Sequence, residues 1–344
     1  MEYAALGATG VSVSRVCLGT MMFGVMGNTD HDECARIIHR AIDGGVNFVD
    51  TADIYSLGES EEIVGKALAG RRDDVVLATK VFNRMGADRN MGGTSRRWIV
   101  RAVEDSLRRL GTDHIDLYQL HRFDESVAIE ESLAALTDLV AAGKVLMIGT
   151  SAWPAERTVE AQWAAERMGY QRYRSEQASY SILKRRIERS VLPTCARYGM
   201  GVITYSPLAG SWLSGRYRGV DDVPDTSRLA TTGRHWGQAI DSPENQARAA
   251  AASQVVALAG EAGLPVAHLA TAWAMGHPQV TSVIIGPRTM DQLDDSLVAA
   301  EVRLTPEVLD AVDEIVPPGT DVVEQDPSAD PVSLRPENRR RSPS

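Results

Sequence analysis

Cysteine is nearly absent from this chain of 344 residues: Cys17, Cys34 and Cys195 are odd in number and far apart. They make no disulfide framework and no C-x-x-C thiol motif, which fits a reducing compartment. No apolar run reaches the roughly 20 residues that span a bilayer. The opening Met1, Glu2, Tyr3 lacks the basic and apolar regions of a secretion signal. The expectation is a cytoplasmic protein with no membrane partner. Positive charge is also in deficit, with 36 Lys and Arg against 46 Asp and Glu and a net charge of −10. Nucleic-acid binding by phosphate neutralisation is therefore not expected. Nor does any G-x-G-x-x-G occur, so the usual mark of a Rossmann dinucleotide fold is missing.

What the chain does have is a repeating beat. With 44% hydrophobic and 24% charged residues it can bury a large core. YAALGATGVSVS predicts an N-terminal hairpin with Gly7 and Gly10 as turn formers, and RVCLGT a first strand. Apolar residues Ile37, Ile38, Ala41 and Ile42 at helical spacing then predict a helix from about Asp32 to Asp43, stopped at Gly44 and Gly45. The strand NFVDTA follows, then a helix near SEEIVGKALA, strand VVLATKV, a helix from Ser95 to Leu110, strand HIDLYQL, a helix from about Ile129 to Ala142, and strand VLMIGTS. Beyond the midpoint come helix PAERTVEAQWAAERMG, strand YRSEQAS, helix RRIERSVLPTCARYG with a possible kink at Pro193, strand GVITYSP, further helices, strand TSVIIGP and helix TMDQLDDSLVAA.

Eight strands, each followed by a helix, predict an α/β protein of the (β/α)8 TIM-barrel class with an N-terminal β-hairpin. An open doubly wound sheet competes, but eight regular units without a Gly-rich first turn suit a closed barrel. One domain is expected over 1–316 and a Pro-rich, charged tail, mobile or draped, over 317–344, ending in a solvated Arg339, Arg340 and Arg341. Two stretches break the rhythm, 83–94 and about 208–243. Both follow strand ends, where barrel enzymes carry their sites, and are candidate lids.

Asp50, Tyr55, Lys80 and His121 stand at or just after successive strand ends. Singly, Lys80 reads as a snorkelling surface lysine and His121 as a satisfied strand-end histidine. Jointly, they place an acid, a cation, a carboxylate and an imidazole on one barrel face. A phenol with a free pKa of about 10 needs help to give up its proton near neutrality. Lys80 can stabilise the phenolate, Asp50 can hold Lys80, and His121 can orient a carbonyl.

The segments LGTMMFG, GVNFVDTADIY, VLATKV, SLRRLGTDHIDLYQLH, GKVLMIGTS, YSPLAG and IIGPRT together resemble the aldo-keto reductase superfamily, from about Tyr3 to Val316. The likeness leans toward the bacterial oxidoreductases related to potassium-channel β subunits. The resemblance implies a barrel that binds NADPH (or NADP+) across its strand ends, with a catalytic tetrad at Asp50, Tyr55, Lys80 and His121. It also implies cofactor contacts from Gly19, Thr20, Met21, Asp50, Ser151 and Gln177, a nicotinamide-stacking ring at Tyr205, and a pyrophosphate run through Ser206, Pro207, Leu208 and Gly210. Arg216 and Arg228 would close over that run. The adenosine end would fall to Gly286, Arg288, Thr289, Gln292 and Asp295, with Arg288 and Arg216 favouring a 2′-phosphate. Ala152 and Ser296 depart from the family pattern, each standing where relatives often have asparagine.

The activity so implied is reduction of an aldehyde or ketone to an alcohol with Tyr55 as proton donor. One rival is C=C or enone reduction acting on a nucleotide-linked keto-sugar, although steroid double-bond reducers of the superfamily carry glutamate in place of His121. The other is a cofactor-binding regulatory subunit like the channel β subunits, which carry asparagine there. The partner expected is a small-molecule carbonyl substrate, its pocket lined by Met22, Phe23, Tyr55, Phe82, His121 and Trp153, with Phe123 and Trp212 near that face. No metal site is expected, and the oligomeric state is left open.

Overall fold

The computed structural model describes residues 1–216, 219–223 and 239–323. Two short antiparallel strands, β1 (Tyr3–Ala5) and β2 (Ser12–Ser14), are joined through a 3-10 turn at Gly7–Thr9. A Cβ on Gly7 would lie 2.4 Å from the Gly199 carbonyl oxygen, and its φ of 57° is left-handed, so only glycine lets the hairpin press against the barrel there. Eight parallel strands follow: β3 (Val16–Gly19), β4 (Phe48–Asp50), β5 (Val76–Val81), β6 (Ile115–Leu120), β7 (Val145–Ser151), β8 (Ser175–Ser179), β9 (Gly201–Tyr205) and β10 (Ser282–Ile285). β10 pairs with both β9 and β3, which closes the barrel. The fold is a (β/α)8 barrel with an N-terminal hairpin.

Helices α1 (His31–Asp43), α2 (Glu59–Ala67), α3 (Arg96–Leu110), α4 (Ile129–Ala141), α5 (Ala155–Met168) and α6 (Val191–Tyr198) connect the strands up to β9. After the segment that follows β9 come α7 (Pro243–Glu261) and α8 (Val266–Gly276), and after β10 come α9 (Met290–Ala299) and α10 (Pro306–Ile315). Local sequence explains their limits. The Ser95 side chain accepts from the Trp98 N–H to start α3, and Gly111 at φ 62° ends it. Between those caps Trp98, Ile99, Ala102, Val103, Ser106, Leu107 and Leu110 recur at intervals of one, three or four, giving one buried face against the strands. No single helix among the described residues is long and apolar enough to cross a membrane.

The strand period of two builds the interior in layers. Leu6 and Val13 from the hairpin, with Cys17, Phe48, Ala78, Leu117 and Ile203, form a small apolar cluster inside the barrel. Two residues further along the same strands, on the same inward face, stand Gly19, Asp50, Lys80, Gln119 and Tyr205. The register that pairs Lys80 with Gln119, Gln119 with Gly149 and Ser151 with Gln177 adds Ser151 and Gln177 to this upper ring. An apolar floor thus supports a polar layer at the C-terminal end of the strands. The larger core lies outside the barrel wall, between strands and helices.

Two elements differ from the sequence expectation. The helix expected over 185–199 is a 3-10 turn, Arg186–Glu188, followed by α6. Pro193 sits in the first turn of α6, where its missing N–H leaves no bond unmade, so it makes no kink. The sixth barrel strand begins at Ser175 rather than Tyr173. Of the segment expected as a tail, residues 317–323 run beside the β8–α6 connection, with the Arg185 N–H donating to Thr320 O (3.0 Å) and the Val322 N–H to Leu183 O (3.0 Å). The rest of that tail, from 324 on, lies outside the described residues.

Candidate active site

Asp50 ends β4, and register pairs it with Ala78, so the inward residue two places beyond Ala78 is Lys80. Lys80 has no solvent exposure. Its ammonium donates to Asp50 Oδ1 (2.5 Å), to the Thr51 carbonyl (2.8 Å) and to Tyr55 Oη (3.2 Å). It also lies 4.9 Å from the centroid of the Tyr55 ring. His121, just past β6, meets that ring edge-on, with centroids 5.9 Å apart and planes at 80°. The four residues singled out by sequence are therefore one contiguous group.

Three further side chains complete it. Gln177 Nε2 donates to Asp50 Oδ2 at 2.8 Å, and Gln119 Nε2 donates to the same oxygen at 3.2 Å. Asn83 Nδ2 faces His121 Nδ1 at 3.4 Å. With the amide donating, Nδ1 accepts and the ring proton sits on Nε2. Gln119 and Asn83 were missed in the sequence. Gln119 shares the face of Leu117 and His121 by strand alternation, which is the signal that finds it. Asn83 lies in an irregular loop and leaves no such signal.

Burial dominates the electrostatics. It pulls the Lys80 ammonium down, but Asp50 and then Tyr55 outweigh it, and the lysine is held charged above its ordinary range. Burial pushes the Tyr55 phenol up, while Lys80 opposes this. The sequence expectation of a lowered phenol pKa is thus corrected: Lys80 acts in that direction, but the resting phenol stays firmly protonated. His121 is driven well below its ordinary value by burial, then by Lys80 and Arg122, so it is a neutral imidazole at pH 7.

The cofactor and substrate expectations fare unevenly. Gly19 is required by packing, since a Cβ there would meet Ile284 Cγ2 at 2.5 Å. Thr20 points away from the barrel interior, its hydroxyl paired with Ser60 at 2.8 Å, and Met21 is half-buried. Ser151 is buried inside the upper ring and its hydroxyl has no protein partner among the described residues. Tyr205, Ser206, Leu208 and Gly210 are half-buried and Pro207 is buried. Gly286 and Arg216 are exposed, while Arg228 lies outside the described residues. Thr289 caps α9 by accepting from the Gln292 N–H. The Gln292 side chain accepts from the Arg288 N–H at 2.9 Å, and the Arg288 guanidinium has no protein partner among the described residues. Asp295 is engaged by His268 at 2.7 Å.

On the substrate side, Phe23 is fully enclosed in the main core and offers no wall to a ligand, which corrects its assignment. The chain after β3 turns inward there, and Ser56 Oγ donates to the Phe23 carbonyl. Met22, Trp153 and Trp212 are nearly buried, and Phe82 and Phe123 half-buried.

Backbone strain concentrates on the same face. The non-glycine residues at positive φ among the described residues are Ser56, Leu57, Ala152, Ser206, Ala209 and Ser211. All follow the C-terminal ends of β4, β7 or β9, where tight bends carry side chains over the ring.

A family model described as the Aldo/keto reductase family matches residues 15–317. "Uncharacterized oxidoreductase YrpG" of Bacillus subtilis (strain 168) is 39% identical over 336 residues, covering 94% of this chain and 99% of that protein. "Probable voltage-gated potassium channel subunit beta" of Arabidopsis thaliana is 35% identical, covering 92% and 97%. "Versiconal hemiacetal acetate reductase" of Aspergillus parasiticus is 34% identical, covering 91% and 96%. A barrel closed over a buried Asp–Lys–Tyr group, and likeness along nearly the full length of these proteins, lead to one assignment: the chain belongs to the aldo/keto reductase family.

Proposed function

We propose that this protein reduces an aldehyde or ketone to an alcohol with NADPH, Tyr55 giving the proton. The observation that carries the reading is the Lys80 ammonium, wholly buried and bonded to both Asp50 and Tyr55. A resting phenol held protonated is a competent donor. As its proton leaves, negative charge grows on Oη, 3.2 Å from a fixed positive charge. Asp50, itself held by Gln119 and Gln177, keeps the lysine from swinging away. Neutral His121, with its proton on Nε2, hydrogen-bonds the carbonyl oxygen and does not compete as the acid.

The family implies a nicotinamide cofactor, and the residues present fit one. The Ser151 hydroxyl in the upper ring and the Arg288 guanidinium beside the start of α9 have no protein partner among the described residues, and they suit a carboxamide and a 2′-phosphate respectively. When bound, the reduced nicotinamide supplies the hydride that reaches the carbonyl carbon.

A second reading is a cofactor-binding regulator, since relatives at 34% to 35% identity are named as potassium-channel β subunits. Against it, His121 stands beside the Tyr55 ring, with centroids 5.9 Å apart, where an imidazole can orient a carbonyl oxygen. The test is NADPH oxidation with a panel of aldehydes, quinones, ketosteroids and keto-sugars, followed by product analysis. An alcohol supports the reading. A saturated ketone transfers it to enone reduction, and cofactor binding without turnover on any of the panel favours the regulator.

A further inference from the structure

Glu176 has no role in the chemistry above, yet it is completely buried at the centre of β8. Strand alternation turns it outward, away from Asp50 and toward the bend that follows β7. Its two carboxyl oxygens reach the residues flanking the Ser151–Ala152 pair. Oε2 meets the Thr150 hydroxyl at 2.5 Å, and Oε1 accepts from the Trp153 N–H at 3.1 Å. The next residue of β8 adds a third tie, the Ala152 N–H donating to Gln177 O at 2.9 Å. The segment so held is strained, because Ala152 stands at φ 54°, a conformation that Gly adopts freely and L residues other than Asn and Asp seldom do. Its product is a buried Ser151 hydroxyl facing the ring with no protein partner among the described residues.

We infer that Glu176 is a positioning residue for cofactor binding: it clamps Thr150 and Trp153 and thereby aims the Ser151 hydroxyl at the nicotinamide carboxamide, and it does so in its protonated form. This rests on the proposed use of a nicotinamide nucleotide. The chemistry of the clamp explains the protonation state. A neutral carboxyl can donate from Oε2 to Thr150 Oγ1, which passes its own hydrogen to the Ser175 carbonyl 3.3 Å away, while Oε1 still accepts from Trp153. Among the described residues an ionised carboxylate finds no cation in bonding contact, and a dinucleotide laid over Ser151 would bring phosphate charge and exclude water, which disfavours ionisation further. The charged and titratable groups facing Glu176 are Arg122, past β6, which steadies the anion, and Cys195 of α6, whose thiol burial pushes far up and which therefore stays neutral. The β7–α5 bend contributes Thr150, Ala152 and Trp153, none of them charged. Burial raises the Glu176 carboxyl to about 8, so the clamp is protonated at neutral pH.

The test is the dissociation constant for NADPH, read by quenching of intrinsic tryptophan fluorescence from about pH 7 to about pH 9.5. The wild-type constant is expected to rise on the order of fivefold across that range, and that of Glu176→Gln, whose amide makes the same two bonds, to stay flat. At about pH 7, Glu176→Ala and Ser151→Ala each weaken binding, and the double variant is no weaker than the worse single one. Circular dichroism of Glu176→Gln establishes that it is folded. A flat wild-type profile, an equal rise in Glu176→Gln, or additive losses in the double variant overturn the inference. Failure of the wild type to bind any nicotinamide nucleotide overturns the proposed function itself, and this inference with it, and is told apart by that complete loss.

Discussion

The ammonium of Lys80, without solvent exposure, donates to the phenolic oxygen of Tyr55 across 3.2 Å. Burial works against both groups, as it raises the phenol and disfavours the ammonium. Asp50 decides the balance. It keeps Lys80 charged where a lone lysine would shed its proton, so the site stores a positive charge beside an intact acid.

Removing Lys80 is therefore expected to cost stability as well as chemistry. Lys80→Met leaves Asp50 buried without its cation, a loss of about 3–5 kcal/mol in urea unfolding. Adding Asp50→Asn recovers most of that stability. Turnover stays down by about a hundredfold to ten-thousandfold in both variants. A double variant that regained activity along with stability would contradict the role given to Lys80.

Glu176 predicts how stability depends on pH. In the unfolded chain a glutamate ionises near about pH 4.3, whereas in the fold this carboxyl ionises near about 8. Between those values the folded state binds the extra proton, so stability falls as pH rises from the lower to the upper. Glu176→Gln removes the dependence. Its advantage over wild type should be nil near pH 4 and grow to at most on the order of 5 kcal/mol near pH 9. Thermal melts of both proteins across that range measure it.

Ala152 carries a strain that a different residue relieves. The left-handed conformation costs an alanine about 1–2 kcal/mol, and glycine gives back about 0.5–1 kcal/mol of that through chain entropy. Ala152→Gly is expected to stabilise by about 0.5–1 kcal/mol in urea unfolding, and Ala152→Val to destabilise. Destabilisation by glycine would mean that the bend is not left-handed.

His121 is held neutral by burial, Lys80 and Arg122. In the unfolded chain it takes a proton below about pH 6.5, so its contribution is intact above that value and is lost as pH falls through the window down to its lowered folded value. The C–H proton resonances of its ring should show no titration between about pH 6 and about pH 8. A midpoint in that range would contradict the neutral role.

Much of this was legible in the chain, for reasons that differ by element. The eight-fold rhythm was readable because α3 and its like bury one face at helical spacing and each strand is short and apolar. The tetrad was readable because Asp50 and Lys80 lie at the C-terminal ends of short apolar strands, His121 directly follows one, and Tyr55 lies in the turn just beyond Asp50. Gln119 was passed over as a lone polar residue between Tyr118 and Leu120, although alternation with Leu117 and His121 turns it inward. Glu176 was hidden because an outward carboxyl on a barrel strand reads as solvent-facing until α6 and the Trp153 bend are seen to cover it. Phe23 was misplaced because the chain after β3 folds back under Ser56, a turn set by tertiary contacts. The kink expected at Pro193 failed on a boundary, since the helix begins just before the proline.

The most direct test of the central claim is turnover of NADPH and a carbonyl by Tyr55→Phe beside the wild type, with NADPH binding measured on both. Loss of the Tyr55 hydroxyl removes the proton that Lys80 helps to release and leaves the packing of the ring intact. The account predicts that turnover falls by at least about a hundredfold while the dissociation constant for NADPH stays within about threefold. Turnover equal to wild type, on any carbonyl that the wild type reduces, would contradict it.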